Sequence, residues 1–179
     1  LVDHVAALTE HRDREALDIG LVQTAMLLLN PLRVAIFGVM SDAKDQRWLP
    51  QTMMTMGYPA ESFSPMHADF RLLEPLPDVP YRWQCLTTRK PVETESPAGE
   101  PGVWVTCLPL SSDTGPEEAG VMEIHSQRSL TSADHDAARR LVRVYRNMQS
   151  MFAYSERDAL TGLLNRKSFD DTFYRSLQD

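Results

Sequence analysis

His67, His125, Cys85 and Cys107 are side chains that could together be arranged into a metal or haem site. Stable sites of that kind usually take ligands at short spacings such as C-x-x-C or H-x-x-H, and no such spacing supports one here, so no metal is expected. The cysteines read instead as small core residues, because a free thiol packs like a modest hydrophobe. Catalysis has no better foundation: there is no G-x-S-x-G, no Walker loop and no metal motif. Binding remains. Phe37, Trp83 and Trp104 could line an apolar cavity, Arg82 could meet an anionic ligand, and His125 could face the same space. Each also has a plain structural reading, the aromatics as core and His125 as a hydrogen-bonded structural histidine.

Any such site must be positioned by a domain of ordinary make-up. The chain has 179 residues, 42% hydrophobic and 24% charged, which suits one domain with some excess and an unaided core. No apolar run approaches the roughly 18 residues that cross a bilayer, so no membrane segment is expected. The N-terminus lacks a secretory pattern, and two cysteines fit a reducing compartment, so the expected location is cytoplasmic. The net charge is −7; residues 131 to 179 hold eight Lys/Arg against seven Asp/Glu, which leaves −8 on the first 130. That acidic front argues against a phosphate-neutralising groove, and nucleic acid is not an expected partner.

The elements follow from periodicity. Residues 13 to 30 place Leu17, Leu21, Ala25 and Leu28 on one side at helical spacing, and Pro31 stops the helix. RVAIFGVM, from Arg33, reads as a buried strand; residues 47 to 57 read as a second, with Pro50 marking an edge or bulge. Five prolines between residues 57 and 80 predict a wandering connection with one short strand around residues 70 to 73. A short helix over residues 81 to 88 ends at the turn RKP. Two adjacent antiparallel strands, residues 102 to 110 and 119 to 127, come next, the second alternating Met122 and Ile124 against Val121, Glu123 and His125.

Thr131 followed by Asp134 is a helix-start signal. From there Ala138, Leu141, Tyr145, Met148, Phe152, Ser155 and Ala159 step by three and four without a break, a heptad pattern. Its first half could pack on the domain itself; past Met148 a partner helix is the expectation, and hence a homodimer through Ala138, Leu141, Tyr145, Met148 and Phe152. Beyond it lies DALTGLLNRKSF, where Gly162 permits a sharp break and Asn165 restarts a helical pattern.

The succession of long helix, strand, loop-rich centre, short helix ending in TTRKP, and CLPLSS…GVMEIHSQRSLTSADHDAARRLVRVY resembles a GAF domain over about residues 10 to 150. Gly120, Val121 and Ile124 match its G-V-x-x-[LIV] strand, and SLTSADHD supplies the phrase before its last helix. The resemblance implies an α+β fold, a central antiparallel sheet flanked by helices, with a long C-terminal signalling helix; the related PAS fold is the competitor. Cys107 does not stand in the context of a bilin-bearing cysteine. Separately, Asp158, Leu160, Thr161, Gly162, Leu163, Asn165 and Arg166 reproduce the D-x-L-T-G-L-x-N-R opening of GGDEF domains, the diguanylate cyclases. The implied organisation is a helix or linker over 1–12, a sensor domain over 13–133, a signalling helix over 134–157 and the start of a GGDEF domain over 158–179. A cyclase would next need a metal-holding aspartate strand and the G-G-[DE]-E-F turn, with GTP and Mg2+; none of these precedes Asp179, so no catalytic residue and no cofactor is expected within these residues. The implied function is regulation of a bacterial diguanylate cyclase by dimerisation and a helical linker, with or without a small-molecule ligand. The alternatives are a ligand-free dimerisation scaffold, or a PAS-like sensor on a GGDEF or GGDEF-EAL protein.

Overall fold

The computed structural model describes residues 2–95, 97, 99–111 and 119–156, with side chains described from 14 to 151 within those spans. Helix α1 (Val2–Leu29) leads into strands β1 (Arg33–Asp42), β2 (Asp45–Thr55) and β3 (Glu61–Ser62); helix α2 (Pro80–Thr88) precedes β4 (Val92–Glu95), β5 (Trp104–Pro109) and β6 (Gly120–Ser126), and α3 (Ser132–Glu156) follows. The strands form one sheet in the order β3-β2-β1-β6-β5-β4, and every pairing is antiparallel. The sheet brings β1 beside β6, pairing residues 82 to 92 positions apart in the chain.

Strand alternation sends two sets of side chains to opposite faces. Val34, Ile36, Leu108, Met122 and Ile124 meet Leu21, Val22 and Ala25 of α1 and Ala138, Val142 and Tyr145 of α3. On the other face, Ala35, Phe37, Val105, Cys107 and Val121 pack with Trp48, Leu76, Val79 and Cys85 beneath α2. Helix α1 ends where Asn30 adopts φ 48 and its N–H bonds to Met26, and Pro31 has no N–H with which to continue. The expected bulge at Pro50 is present: Ile36 faces Thr52 and Phe37 faces Pro50, so Gln51 is the extra residue. Helix α3 starts on a capping box, Asp134 N–H donating to Thr131 Oγ1 at 3.1 Å and Thr131 N–H to Asp134 Oδ2 at 3.0 Å.

The helix expected over residues 13 to 30 continues back through residues 2 to 12, the stretch expected as a helix or linker. Two expectations change. The strand expected at residues 70 to 73 is a 3-10 turn, Phe70–Leu72, because the Asp69 carboxylate accepts from Arg71 N–H at 3.0 Å and closes a local cap that outcompetes strand pairing. Residues after the RKP turn, left without an element, form β4, which pairs along β5.

Candidate functional site

Glu123 is the point from which a site can be built. It projects from the centre of β6 onto the α2 face and is fully buried, flanked across the sheet by Ala35 on β1 and Cys107 on β5. Two small neighbours leave room above the carboxylate. Arg82, buried on α2, fills it: its Nε donates to Glu123 Oε2, and its Nη1 donates to Glu74 Oε2 at 3.0 Å. The guanidinium lies over the Phe37 ring, 3.6 Å from its centroid, with the Trp48 and Tyr81 rings each at 5.9 Å.

The proline-rich connection supplies the remaining wall. Trp48 N–H donates to the Glu74 carbonyl at 2.8 Å, the Trp48 indole to the Leu76 carbonyl at 3.2 Å, and Arg47 to the Leu73 carbonyl at 2.9 Å. These bonds lay the connection along β2 and bring Glu74 to Arg82. On the other side of Glu123, His125 Nε2 bonds to Oε1, and Arg33 Nη2 stands 3.9 Å from that same oxygen.

Electrostatics follow from this packing. Burial alone pushes the Glu123 pKa up, but the hydrogen bonds from His125 and Arg82 overcome it and hold the carboxyl below its ordinary value. Burial acts to lower the pKa of Arg82, and its bond to Glu123 reverses that, so the guanidinium stays charged. Tyr81 is pushed upward by burial and by the Glu123 charge. Cys85 is pushed up to about 12 by burial, and Cys107 well above its ordinary value, so both are inert neutral thiols. The arrangement has no activated nucleophile and no base with an open approach.

Of the five residues expected to line a pocket, Phe37, Arg82 and His125 do come together, through Glu123. Trp83 does not: it lies on α2 one position past Arg82 and is 37% exposed. Trp104 does not either. On β5 it alternates with Thr106 and Leu108 and pairs with Ser126, which puts it on the α1 and α3 side of the sheet. Glu123 and Glu74 were missed, although a glutamate inside the apolar run V-M-E-I-H was a visible signal, since a buried carboxylate needs a cation.

The residues expected to form a dimer seam divide. Ala138 and Tyr145 are in the chain's own core against α1, and the Tyr145 hydroxyl donates to Asp18 Oδ1 at 2.6 Å, so these two are not open to a partner. Leu141 packs at the edge of that core. Met148 is 43% exposed, and beside it Val144 is 56% and Met151 71% exposed. The Phe152 side chain and the motif Asp158 to Arg166 lie outside the described residues. A groove of about 380 Å³ runs between the helices, lined by Leu17, Leu21, Leu141, Val144 and Met148. A second cavity lies where Gly38 faces Gly120. Among the described residues no cluster of His, Cys, Asp or Glu could hold a metal ion, and no helix is long and apolar enough to cross a membrane.

No protein-family profile and no curated protein matches the chain. Solved structures do. A GAF domain/HD domain protein from Geobacter sulfurreducens superposes with a TM-score of 0.56 at 15% identity, covering 79% of this chain and 96% of that one. The GAF domain of a two-component sensor histidine kinase from Bacillus halodurans gives 0.47 at 10% identity, covering 74% and 92%, and residues 122 to 287 of a methyl-accepting chemotaxis protein give 0.48 at 14%, covering 82% and 97%. The six-stranded antiparallel sheet with its helices is thus GAF-like in fold.

Proposed function

We propose that this GAF-like domain is a regulatory sensor module, that two copies pair through the α1 and α3 faces, and that α3 carries the signal to a diguanylate cyclase domain downstream. The observation that carries the reading is the exposed apolar edge of α3. Val144 and Met148 line the groove between α1 and α3 and, with Met151, are exposed, and a second copy of the same face would cover them. The pairing face is shifted from the heptad seam first drawn, toward Val144 and Met151. The link to cyclic di-GMP rests on the residues from Asp158 to Arg166, whose order resembles the start of a GGDEF domain.

Arg82 favours one form of this reading. Its guanidinium occupies the space over Phe37 where a ligand on the α2 face would sit, and Glu123 and Glu74 hold it there. A cyclic nucleotide or anionic metabolite would have to displace a buried, twice-paired cation. The α2 face therefore acts as a structural base, and regulation enters by the helices.

Inserting four residues after Ser150 in the full-length protein tests the relay. The insertion lies beyond Tyr145, which clasps α1 through Asp18, so the sensor should fold normally while the phase of the exit helix changes. Altered cyclase output is expected; unchanged output, with the dimer intact, overturns the relay.

A further inference from the structure

Arg82 closes the centre of the α2 face to a ligand, but a proton needs no cavity. Strand pairing sets one row of side chains across this face near the end of the sheet: Thr55 on β2, Arg33 on β1, His125 on β6, Val105 on β5 and Thr94 on β4. Arg33 and His125 are its charged and titratable members. Their side chains are 36% and 13% exposed, so water reaches both.

The neighbours of His125 make opposite demands on it. Nε2 bonds to Glu123 Oε1, while Arg33 Nη2 lies 3.0 Å from the same Nε2 and 3.5 Å from Nδ1. An ionised carboxylate only accepts a hydrogen bond and a guanidinium only donates. Glu123 is held ionised against its burial, so Nε2 carries a hydrogen directed at it, and Nδ1 is the atom that titrates. A neutral ring offers Arg33 the bare lone pair of Nδ1. A ring that has taken a proton from water offers it an N–H of like charge.

The groups around His125 decide which member yields. Glu123 lies beside it on β6 and Arg33 across from it on β1; from α2, Arg82 and Tyr81 approach Glu123, and Glu74 of the proline-rich connection joins through Arg82. The Tyr81 phenol is kept neutral by burial and by the Glu123 charge, and Val105 and Thr55 carry none. Two arginines therefore balance two glutamates while the ring is neutral, and an imidazolium is one cation too many. Arg82 is bonded to both glutamates. Arg33 is held least: its contact with Glu123 Oε1 is 3.9 Å, and its Nε is buried with no hydrogen-bond partner among the described residues.

We propose that His125 is a proton-operated latch on Arg33: the neutral ring holds the guanidinium against β6, and the imidazolium releases it to solvent. The latch sits at the joint between α1 and the sheet. Arg33 opens β1 just after the turn that ends α1, Leu32 N–H donates to the His125 carbonyl at 2.7 Å, and Met56 N–H donates to the Leu32 carbonyl at 2.9 Å. Release of Arg33 loosens this joint while the Arg82–Glu123 pair stays closed. The input is separate from the pairing of α3 and operates in a monomer or a dimer alike.

The test is a titration of the 179-residue chain from about pH 8 to about pH 5, the window in which histidine changes charge, with the His125 ring nitrogens and the Arg33 Nε–H followed by NMR. Nε2 should stay protonated throughout, Nδ1 should take up the proton, and the order of the Arg33 Nε–H should fall with the same midpoint. Arg33→Met removes the opposing charge and should move the midpoint up by at least about half a pH unit, roughly threefold in proton affinity. His125→Gln, whose amide donates to Glu123 and accepts from Arg33 at any pH, should keep Arg33 ordered over the whole range. The latch is overturned by a ring that keeps one protonation state across the window, by Arg33 motion that ignores the titration, or by a midpoint that stays or falls in Arg33→Met. If Arg33→Met does not fold, His125→Gln still decides: a pH-dependent loss of Arg33 order in that variant overturns the latch.

Discussion

Arg82 and Glu123 form the most consequential pair in the molecule. The carboxylate is fully buried, so removing its cation leaves an uncompensated charge in a low-dielectric interior. Arg82→Ala should destabilise the domain by about 3–5 kcal/mol in urea denaturation, whereas the double replacement of Arg82 and Glu123 by methionine should recover most of that loss. Arg82→Lys is not a conservative exchange, because one ammonium cannot keep the planar stack on Phe37 while reaching both Glu123 and Glu74. The same pair sets an acid limit. Glu123 has a folded-state pKa below its unfolded value, so its contribution is fully present above the unfolded carboxyl pKa and is lost as pH falls through the folded one. Glu93, held down against burial by bonds from Ser129, Leu130 N–H and Thr106, adds in the same direction. Thermal scans should therefore show stability falling as the pH drops below about 4.5, with a shallower fall in Glu123→Gln. An acid-insensitive wild type would contradict the assignment.

At the scale of the element, α3 shows how local and distant interactions divide the work. Its start is written in four consecutive residues, Thr131 to Asp134, whose side chains and N–H groups cap each other. Thr131→Ala should cost about 1 kcal/mol, read as a lowered denaturation midpoint with an unchanged slope. Further along, Arg146 reaches the Pro109 carbonyl and Tyr145 reaches Asp18, so the helix is seated on both the sheet and α1. Tyr145→Phe removes the clasp with little change in volume and should loosen α1 from α3, seen as faster amide exchange in α3 than in β6. The helix, its cap, the Pro50 bulge and the β5–β6 pair were all legible in the sequence, because each follows from a period or a turn residue within a few positions. The turn at Phe70–Leu72 was not, since a side-chain cap from Asp69 decided it against an apolar run that looked strand-like. Nor was β4, a four-residue edge strand rich in glutamate that exists because β5 offers it an open ladder.

The whole molecule is a sheet with its two faces given different tasks. One face is closed by α2 around a buried ion pair; the other carries the paired helices, their exposed apolar edge and the Gly38–Gly120 cavity. If two copies pair through that edge, Met151→Glu places a charge in the contact, and sedimentation should report at least about a tenfold weaker dimer, while Trp83→Ala on the far side should leave association unchanged. A wild type that remains monomeric at high concentration would remove the interface. From the sequence alone came the nature and order of most elements and the two faces of β6, because periodicity is a local property of the chain. Only the tertiary structure decided that Arg82 would close on a glutamate 41 positions away, that Trp104 would turn from Phe37, and that Tyr145 would be spent on Asp18 across 127 residues. Those contacts depend on which strands lie side by side and which helix covers each face, and no period of two or 3.6 residues carries that information.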